Sequence, residues 1–206
     1  ILPPWPYNMG KALRHRGPDD EGYVFFCQNE EKVSCVGGDD TPSHTWQMQL
    51  PYSPKNNIAP SDAYMALVHR RLSILDVSAY GHQPMCDASR RFWISFNGEV
   101  YNYQELRQEL LSLGHVFFSQ TDTEVVLHAY IQWGTQCVQK FNGMWAFVIY
   151  DRVSKKLFCS RDRFGVKPFY YSFTKSFFVF ASPNNFFNSA FFGTHVGLNF
   201  FISFLY

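Results

Sequence analysis

Between residues 144 and 182, four apolar runs, MWAFVIYD, KKLFCSRD, KPFYYS and FFVFAS, follow one another with only the polar turns RVSK, RFGV and FTK between them. Runs rich in aromatic and β-branched residues and broken by turn residues read as strands. Upstream, FWISF (92–96) and ALVHRRLSIL (66–75) have the same character, with Gly81 and Asn97-Gly98 as turn signals. Two helices fall between these strand groups. Asn102-Tyr-Gln-Glu105 has the form of a capping box, and Tyr103, Leu106, Leu110 and Leu113 follow at helical spacing up to Gly114, leaving Arg107, Gln108 and Glu109 for solvent. Thr121-Asp-Thr-Glu124 opens a second helix in the same way, running through Val125, Val126, Ala129, Tyr130 and Trp133 to Gly134, with a short strand, HVFFS, leading into it. Helices grouped between strand runs, rather than alternating with them, predict an α+β fold built on antiparallel sheets.

Composition bounds the rest. With 206 residues, 46% of them hydrophobic, the chain can bury a full core, which predicts one domain over 1–206 or one piece of a larger protein. A net charge of +1 points away from nucleic acid and from disorder. Five cysteines, Cys27, Cys35, Cys86, Cys137 and Cys159, form no metal-type pairing, and no secretory leader opens the chain, so a cytoplasmic location is expected. Cys35 and His44 have no partners at ligand spacing, so no metal is expected, and no apolar run is long enough to cross a membrane. The stretch 23–64 reads as hairpin material with a long surface excursion through GGDDTPSH and PYSPKNN. The opening ILPPWPY, with three prolines, is expected to be non-helical, and residues upstream of Ile1 are expected to be missing. No charged residue follows Lys175 while phenylalanines crowd the stretch, so 183–206 stands out as an atypical Phe-rich tail on a core of 9–182.

Four short segments carry chemistry. ALRHRGPDDEG (12–22) places two arginines, a histidine and three acids around a Gly-Pro turn, and reads equally well as a solvated turn closed by its own ion pairs. HRRLSILD (69–76) sets Arg70 and Arg71 on opposite faces of a strand, so one must point toward a buried face. A buried guanidinium needs an anion, from the protein or from a ligand. Asp122, at the start of a predicted helix, complements the helix dipole and caps backbone N–H groups. Asn97-Gly98 is a favoured hairpin pair, yet a helix cap follows at Asn102 where a returning strand would be needed. The pair is therefore expected to end a strand and feed a helix.

RHRGPDDEG, HRRLSILD with GHQPM after it, NGEVYNYQELR, TDTEV, FNGMWAFVIYD and RDRFGVKPFYY, in this order, resemble the glutamine amidotransferase domain of asparagine synthetases, the class II, N-terminal-nucleophile type. The resemblance covers about Met9 to Ser182, and the RGPD, RRLSI and GE-YN wording favours this branch over the class II amidotransferases of purine or glucosamine synthesis. It implies a four-layer αββα sandwich of two antiparallel sheets flanked by helices, the Ntn-hydrolase type. Glutamine would lie at the end of the sheets, its amide attacked by the thiol of an N-terminal cysteine whose α-amino group acts as base. Matching positions assign Arg71 to the glutamine α-carboxylate and Asp122 to its α-ammonium, and make an oxyanion hole of the Asn97 side-chain amide and the Gly98 N–H. Leu72 and Ile74 would line the pocket, Glu99 would help hold the amino group, and Arg16 would support the nucleophile. Glycine at 98 is expected to keep a Cβ out of the path of the reacting carbonyl.

The same resemblance implies L-glutamine as ligand and no cofactor for this domain. ATP and magnesium would belong to a synthetase domain of the parent, whose Gly-rich pyrophosphate loop does not occur in this sequence. Whether the parent forms a homodimer is left open. No cysteine stands at the nucleophile's position, which would lie upstream of Ile1, so the chain as written is expected to bind glutamine weakly and not to hydrolyse it. Pro183-Asn184-Asn185 replaces the acid and lysine that continue the family's last strand. Two further readings stay open: a pseudo-amidotransferase that serves as a docking domain, and a sensor that uses Arg71 and Asp122 to read an amino acid.

Overall fold

In β3 (Ala63–Arg71), Met65, Leu67 and His69 lie on one face and Ala66, Val68 and Arg70 on the other, and all six are buried. A strand covered on both faces must sit inside a stack of layers. The computed structural model of the protein describes residues 5–29, 32–47, 50–54, 60–73, 76, 78–173, 177–182 and 199–205, and shows that stack. The elements run α1 (Trp5–Ala12), β1 (Asp20–Cys27), β2 (Val33–Gly37), β3, β4 (Met85–Cys86), β5 (Phe92–Val100), α2 (Tyr103–Ser112) and α3 (Asp122–Trp133). The chain continues through β6 (Gly143–Asp151), β7 (Lys156–Arg161), β8 (Tyr170–Phe173), β9 (Phe177–Ala181) and β10 (Asn199–Leu205).

Three buried clusters hold four layers together. Met9 and Leu13 pack against Tyr23, Phe25, Ala66 and Val68 on the outer face of a six-stranded sheet ordered β2-β1-β3-β10-β9-β8. Val24, Phe26, Leu67, Trp93, Val148 and Phe180 fill the space between that sheet and a four-stranded one ordered β4-β5-β6-β7. Ile94, Phe96 and Phe147 then meet Leu110, Val125 and Val126 of the helices on the far face of the second sheet. The result is the expected αββα sandwich.

Several local expectations are corrected. The larger sheet is mixed rather than antiparallel, because β10 runs parallel to both β3 and β9; part of the Phe-rich tail therefore forms a central strand. β7 and β8, which read as neighbours across the RFGV turn, belong to different sheets, so that turn crosses the sandwich. The proline-rich opening does enter a helix. Its Pro6 falls in the first turn of α1, where a missing N–H breaks no intrahelical bond. HVFFS forms no strand: the N–H groups of Phe118 and Ser119 donate to the Glu124 carboxylate at 2.8 and 2.7 Å.

Of the two capping boxes, the one at Thr121 is half made. Thr121 Oγ1 accepts from the Glu124 N–H at 3.2 Å, while the Glu124 side chain turns to the preceding loop instead of reaching back. At Asn102 there is no cap. Its side chain donates to the Lys140 carbonyl and accepts from the Asn142 N–H, clamping the chain to the segment before β6. On α2, Leu106 and Leu110 are buried but Leu113 is 51% exposed, because the helix ends at Ser112.

The largest correction concerns Asn97-Gly98. It is neither a hairpin nor a strand end: β5 continues through Val100, and Asn97 and Gly98 pair with Ala146 and Trp145 of β6. A Cβ on Gly98 would stand 2.3 Å from the Met144 carbonyl oxygen and 2.7 Å from the Trp145 Cα, so close strand approach alone demands glycine there. Replacing Gly98 with Ala should lower the unfolding free energy by about 2 kcal/mol or more, the scale of overpacking in a tight core. Urea unfolding monitored by Trp fluorescence measures it, and an unchanged midpoint would show that β5 and β6 separate freely.

Candidate functional site

The layer between the sheets is apolar along most of its length and turns polar at one end. By strand alternation the face that buries Met65 and Leu67 continues into His69 and Arg71, and the face that buries Val24 and Phe26 runs back to Asp20. From the other sheet, Ser95 and Asn97 follow Trp93 inward. Their contacts join the layers. His69 Nδ1 meets Ser95 Oγ at 3.0 Å, His82 Nδ1 meets Asp20 Oδ2 at 2.7 Å, and Asn97 Nδ2 donates to Ser182 Oγ, just past β9, at 2.7 Å. Burial, with the Arg71 charge behind it, pushes His69 down to about 3, so its imidazole is neutral at ordinary pH. Burial alone would raise Asp20, but the His82 contact and the Arg71 charge hold it below the usual carboxylate range.

Asp76 ties Arg71 to the loop that runs into Asp122. Arg71 closes β3 at 7% exposure; its Nη1 donates to the Ser78 carbonyl at 3.2 Å and its Nη2 to the Asp76 carbonyl. The guanidinium lies so close over Gly81 that a Cβ there would fall 2.0 Å from Nη2. Asp76, with φ of 51°, turns its side chain the other way and accepts from the Gln120 N–H at 2.8 Å, two residues before Asp122. Asp122 opens α3 at 5% exposure and accepts from the Val100 N–H at 3.0 Å, which ties it to the strand that carries Asn97, Gly98 and Glu99. Burial pushes Asp122 up to about 6 against the pull of that hydrogen bond, and the Glu99 charge adds to the rise.

The remaining expected residues are spread around this centre. Glu99 is half-buried; its charge and that of the exposed Arg16 both reach the half-buried Lys167, whose pKa burial lowers. Leu72, in the loop after β3, is 39% exposed, and Ile74 lies outside the described residues. The neighbouring Ser73 N–H donates to Asp19 Oδ2 at 2.9 Å. On the opposite face of β3, Arg70 is 1% exposed and pairs with Glu21 and Asp40 at 2.7 Å, and Arg14 also pairs with Asp40. The charge cluster of residues 12–22 thus splits between internal ion pairs and the site. Asp76, Ser182, His69 with Ser95, and His82 with Asp20 were not singled out as site residues. Period-two spacing from Arg71 could have placed His69 on its face; Asp76 and Ser182 carry no local signal.

All five cysteines are free. Burial raises every one of their thiols, Cys27 to about 11 and Cys86, Cys137 and Cys159 to about 12, so none carries an activated thiolate. Among the described residues no group of three or more His, Cys, Asp or Glu is placed to hold a metal, and no helix is long and apolar enough to cross a membrane.

An αββα sandwich of this kind has counterparts among known proteins. The glutamine amidotransferase domain family model matches residues 54–201, and the chain belongs to that family. A putative glutamine-hydrolysing asparagine synthetase 2 of Methanocaldococcus jannaschii is 38% identical over 188 residues, covering 84% of this chain and 30% of the relative. Glutamine-hydrolysing asparagine synthetase 3 of Bacillus subtilis is 45% identical over 116 residues, 55% of this chain and 19% of the relative. Among solved structures, glutamine phosphoribosylpyrophosphate amidotransferase from B. subtilis, complexed with ADP and GMP, superposes with a TM-score of 0.61 at 21% identity, over 84% of this chain and 37% of that one. At that identity the likeness speaks for the fold. The chain spans between about a fifth and just over a third of the length of these relatives.

The buried Asp122 sets a pH dependence with a definite sign. Its folded pKa of about 6 lies above the ordinary 3.8, so the folded state holds the proton more tightly. Below about pH 4 the group is protonated in both states and costs nothing; the penalty grows as pH rises to about 6 and is then constant. Asp122→Asn, which keeps an acceptor for the Val100 N–H, should raise the unfolding free energy at pH 7.5 by up to about 3 kcal/mol, at 1.36 kcal/mol per unit. The gain should shrink to about 1 kcal/mol at pH 4.5. Urea denaturation of both proteins at the two pH values decides it; equal differences would show that Asp122 is not desolvated.

Proposed function

We propose that this chain is the glutaminase domain of an asparagine synthetase-like enzyme and binds L-glutamine at the polar end of its two sheets. What supports the reading is a buried guanidinium at the end of β3 and a buried carboxylate at the start of α3, with Asp76 bonded both to Arg71 and to the Gln120 N–H two residues ahead of Asp122. A planar guanidinium fork suits an α-carboxylate, and a fixed carboxylate suits an α-ammonium. Arg71 takes the first role, Asp122 the second with Glu99 beside it. Arg16, Leu72 and Ile74 are assigned to the same site from the family pattern alone.

Asn97 and Gly98 serve as oxyanion donors in this reading. Asn97 Oδ1 is buried without a partner, while Nδ2 rests on the Ser182 hydroxyl. That hydroxyl can serve either amide atom, so a half-turn of the amide places Oδ1 on Ser182 and turns both N–H donors away from it. The nucleophile would be a cysteine thiol ahead of Ile1. It attacks the carboxamide carbon, the donors hold the resulting oxyanion, ammonia departs with the proton, and water cleaves the thioester to release glutamate. Use of the ammonia to amidate aspartate, with its ATP and magnesium, is assigned to the part of such a parent that this chain does not span.

Binding and chemistry are tested separately. Calorimetry should show glutamine binding that weakens at least tenfold in Arg71→Ala and in Asp122→Asn, and that is lost as pH falls below about 6 because protonated Asp122 cannot pair with the ammonium. A variant extended by Met-Cys-Gly-Ile ahead of Ile1 should release glutamate, and Asn97→Ala in that background should slow release by about a hundredfold or more. Binding without release from the folded, extended chain would favour an amino-acid sensor; neither binding nor release would sink the assignment.

A further inference from the structure

The other end of the sandwich holds a second feature, which the glutaminase reading does not use. A cavity of about 270 Å³ opens there, at the ends of β1, β3 and β5 remote from Asn97 and Arg71. From Phe92 to Asn97 the strand advances about 16 Å, which separates the two sites by the depth of the sheets. Five cationic residues line the cavity: Lys32 before β2, Arg90 and Arg91 before β5, and Arg152 and Lys155 in the turn between β6 and β7. The whole chain has 18 Lys and Arg and a net charge of only +1, so this is a marked local concentration. No Asp or Glu is among the described residues that line it.

Three acids bond to residues that line it from behind the wall: Asp87 accepts from the Ser89 N–H at 3.0 Å, Asp62 bonds the Cys27 thiol, and Asp151 is committed to Arg91. Asp151 receives Arg91 Nε and Nη2 at 2.9 and 2.8 Å and the Ser154 hydroxyl at 2.9 Å, contacts that hold its pKa below the ordinary range. Phe26, Val33 and Val153 give the cavity apolar walls, and Tyr64, its hydroxyl bonded to Tyr150 at 2.6 Å, adds an aromatic one.

Backbone conformation supplies a second, independent argument. Arg90 and Lys155 have φ of 55° and 54°, and they are two of the three non-glycine residues in the left-handed region among those described. Glycine or asparagine adopts that conformation at less cost, so a turn alone does not call for a long cation at either place. Both costly positions carry a positive charge, and both line the same cavity.

We propose that this cavity is a binding site for a small phosphorylated anion, with the cations on the phosphoryl oxygens and the apolar walls against the rest of the ligand. Guanidinium groups match phosphoryl oxygens in geometry, and the volume falls just below the roughly 300 Å³ at which drug-sized ligand pockets begin. A concave site of this size takes a small molecule rather than a nucleic-acid backbone.

Titration calorimetry on the full chain, with inorganic pyrophosphate and with ADP in separate arms, tests the site and shows whether a free phosphate group or a nucleoside carrying one is preferred. Saturable binding is expected, weakened severalfold between 50 and 300 mM NaCl. Arg90→Gly and Lys155→Gly each remove a cation while relaxing the left-handed backbone, so both should keep the urea midpoint and lose at least tenfold in affinity; Arg90→Asn gives a second neutral side chain at ease in that conformation. Three results would overturn the proposal: no binding of either ligand at 10 mM, binding undiminished in the glycine variants, or binding of a long heparin chain alone.

Discussion

Two consecutive guanidinium groups, both buried, set the terms for the rest of the fold. Arg70 and Arg71 project from opposite faces of one strand, so each face had to supply its own compensation. On the α1 side Arg70 meets Glu21, Asp40 and the Gly17 carbonyl, a closed set of protein partners. On the inner side Arg71 is held by the carbonyls of Asp76 and Ser78 with Asp20 near, an arrangement that fixes the group and suits it to a ligand's carboxylate. One residue of register therefore separates a cation closed in by carboxylates from one held by carbonyls, the one proposed to meet the ligand.

The inner layer behaves as a gradient. Its middle is Leu67, Trp93, Val148 and Phe180, and its two ends are polar for different reasons. At one end the polar groups are buried and bonded across the sheets, which gives the precision that substrate positioning needs. At the other, cations on turns surround an open cavity, where charge attracts a ligand without fixing a reacting atom. The apolar middle separates the two ends.

Much of this architecture was legible in the chain. The short turns between apolar runs pointed to antiparallel strands, the spacing of Leu106 and Leu110 to one helix, and Thr121 with Gly134 to the ends of another. Asn97-Gly98 misled because its turn signal is local, whereas the need for glycine at 98 comes from the backbone of β6, which no neighbour in sequence reveals. The cap at Asn102 failed likewise: Lys140 and Asn142 claim the side chain that a helix start would have used.

Sequence by itself determined the succession of apolar runs and turns and the ordered motifs that mark a glutamine amidotransferase domain. These depend on local periodicity and residue chemistry, which the chain carries wherever it goes. Only the tertiary structure decided which face each arginine serves, that Asp76 ties Arg71 to the loop ahead of α3, that burial raises Asp122, and that Lys32, Arg90 and Lys155 share one cavity. Those facts arise where separate strand ends and turns meet, and desolvation and convergence of charge exist only once the layers have closed.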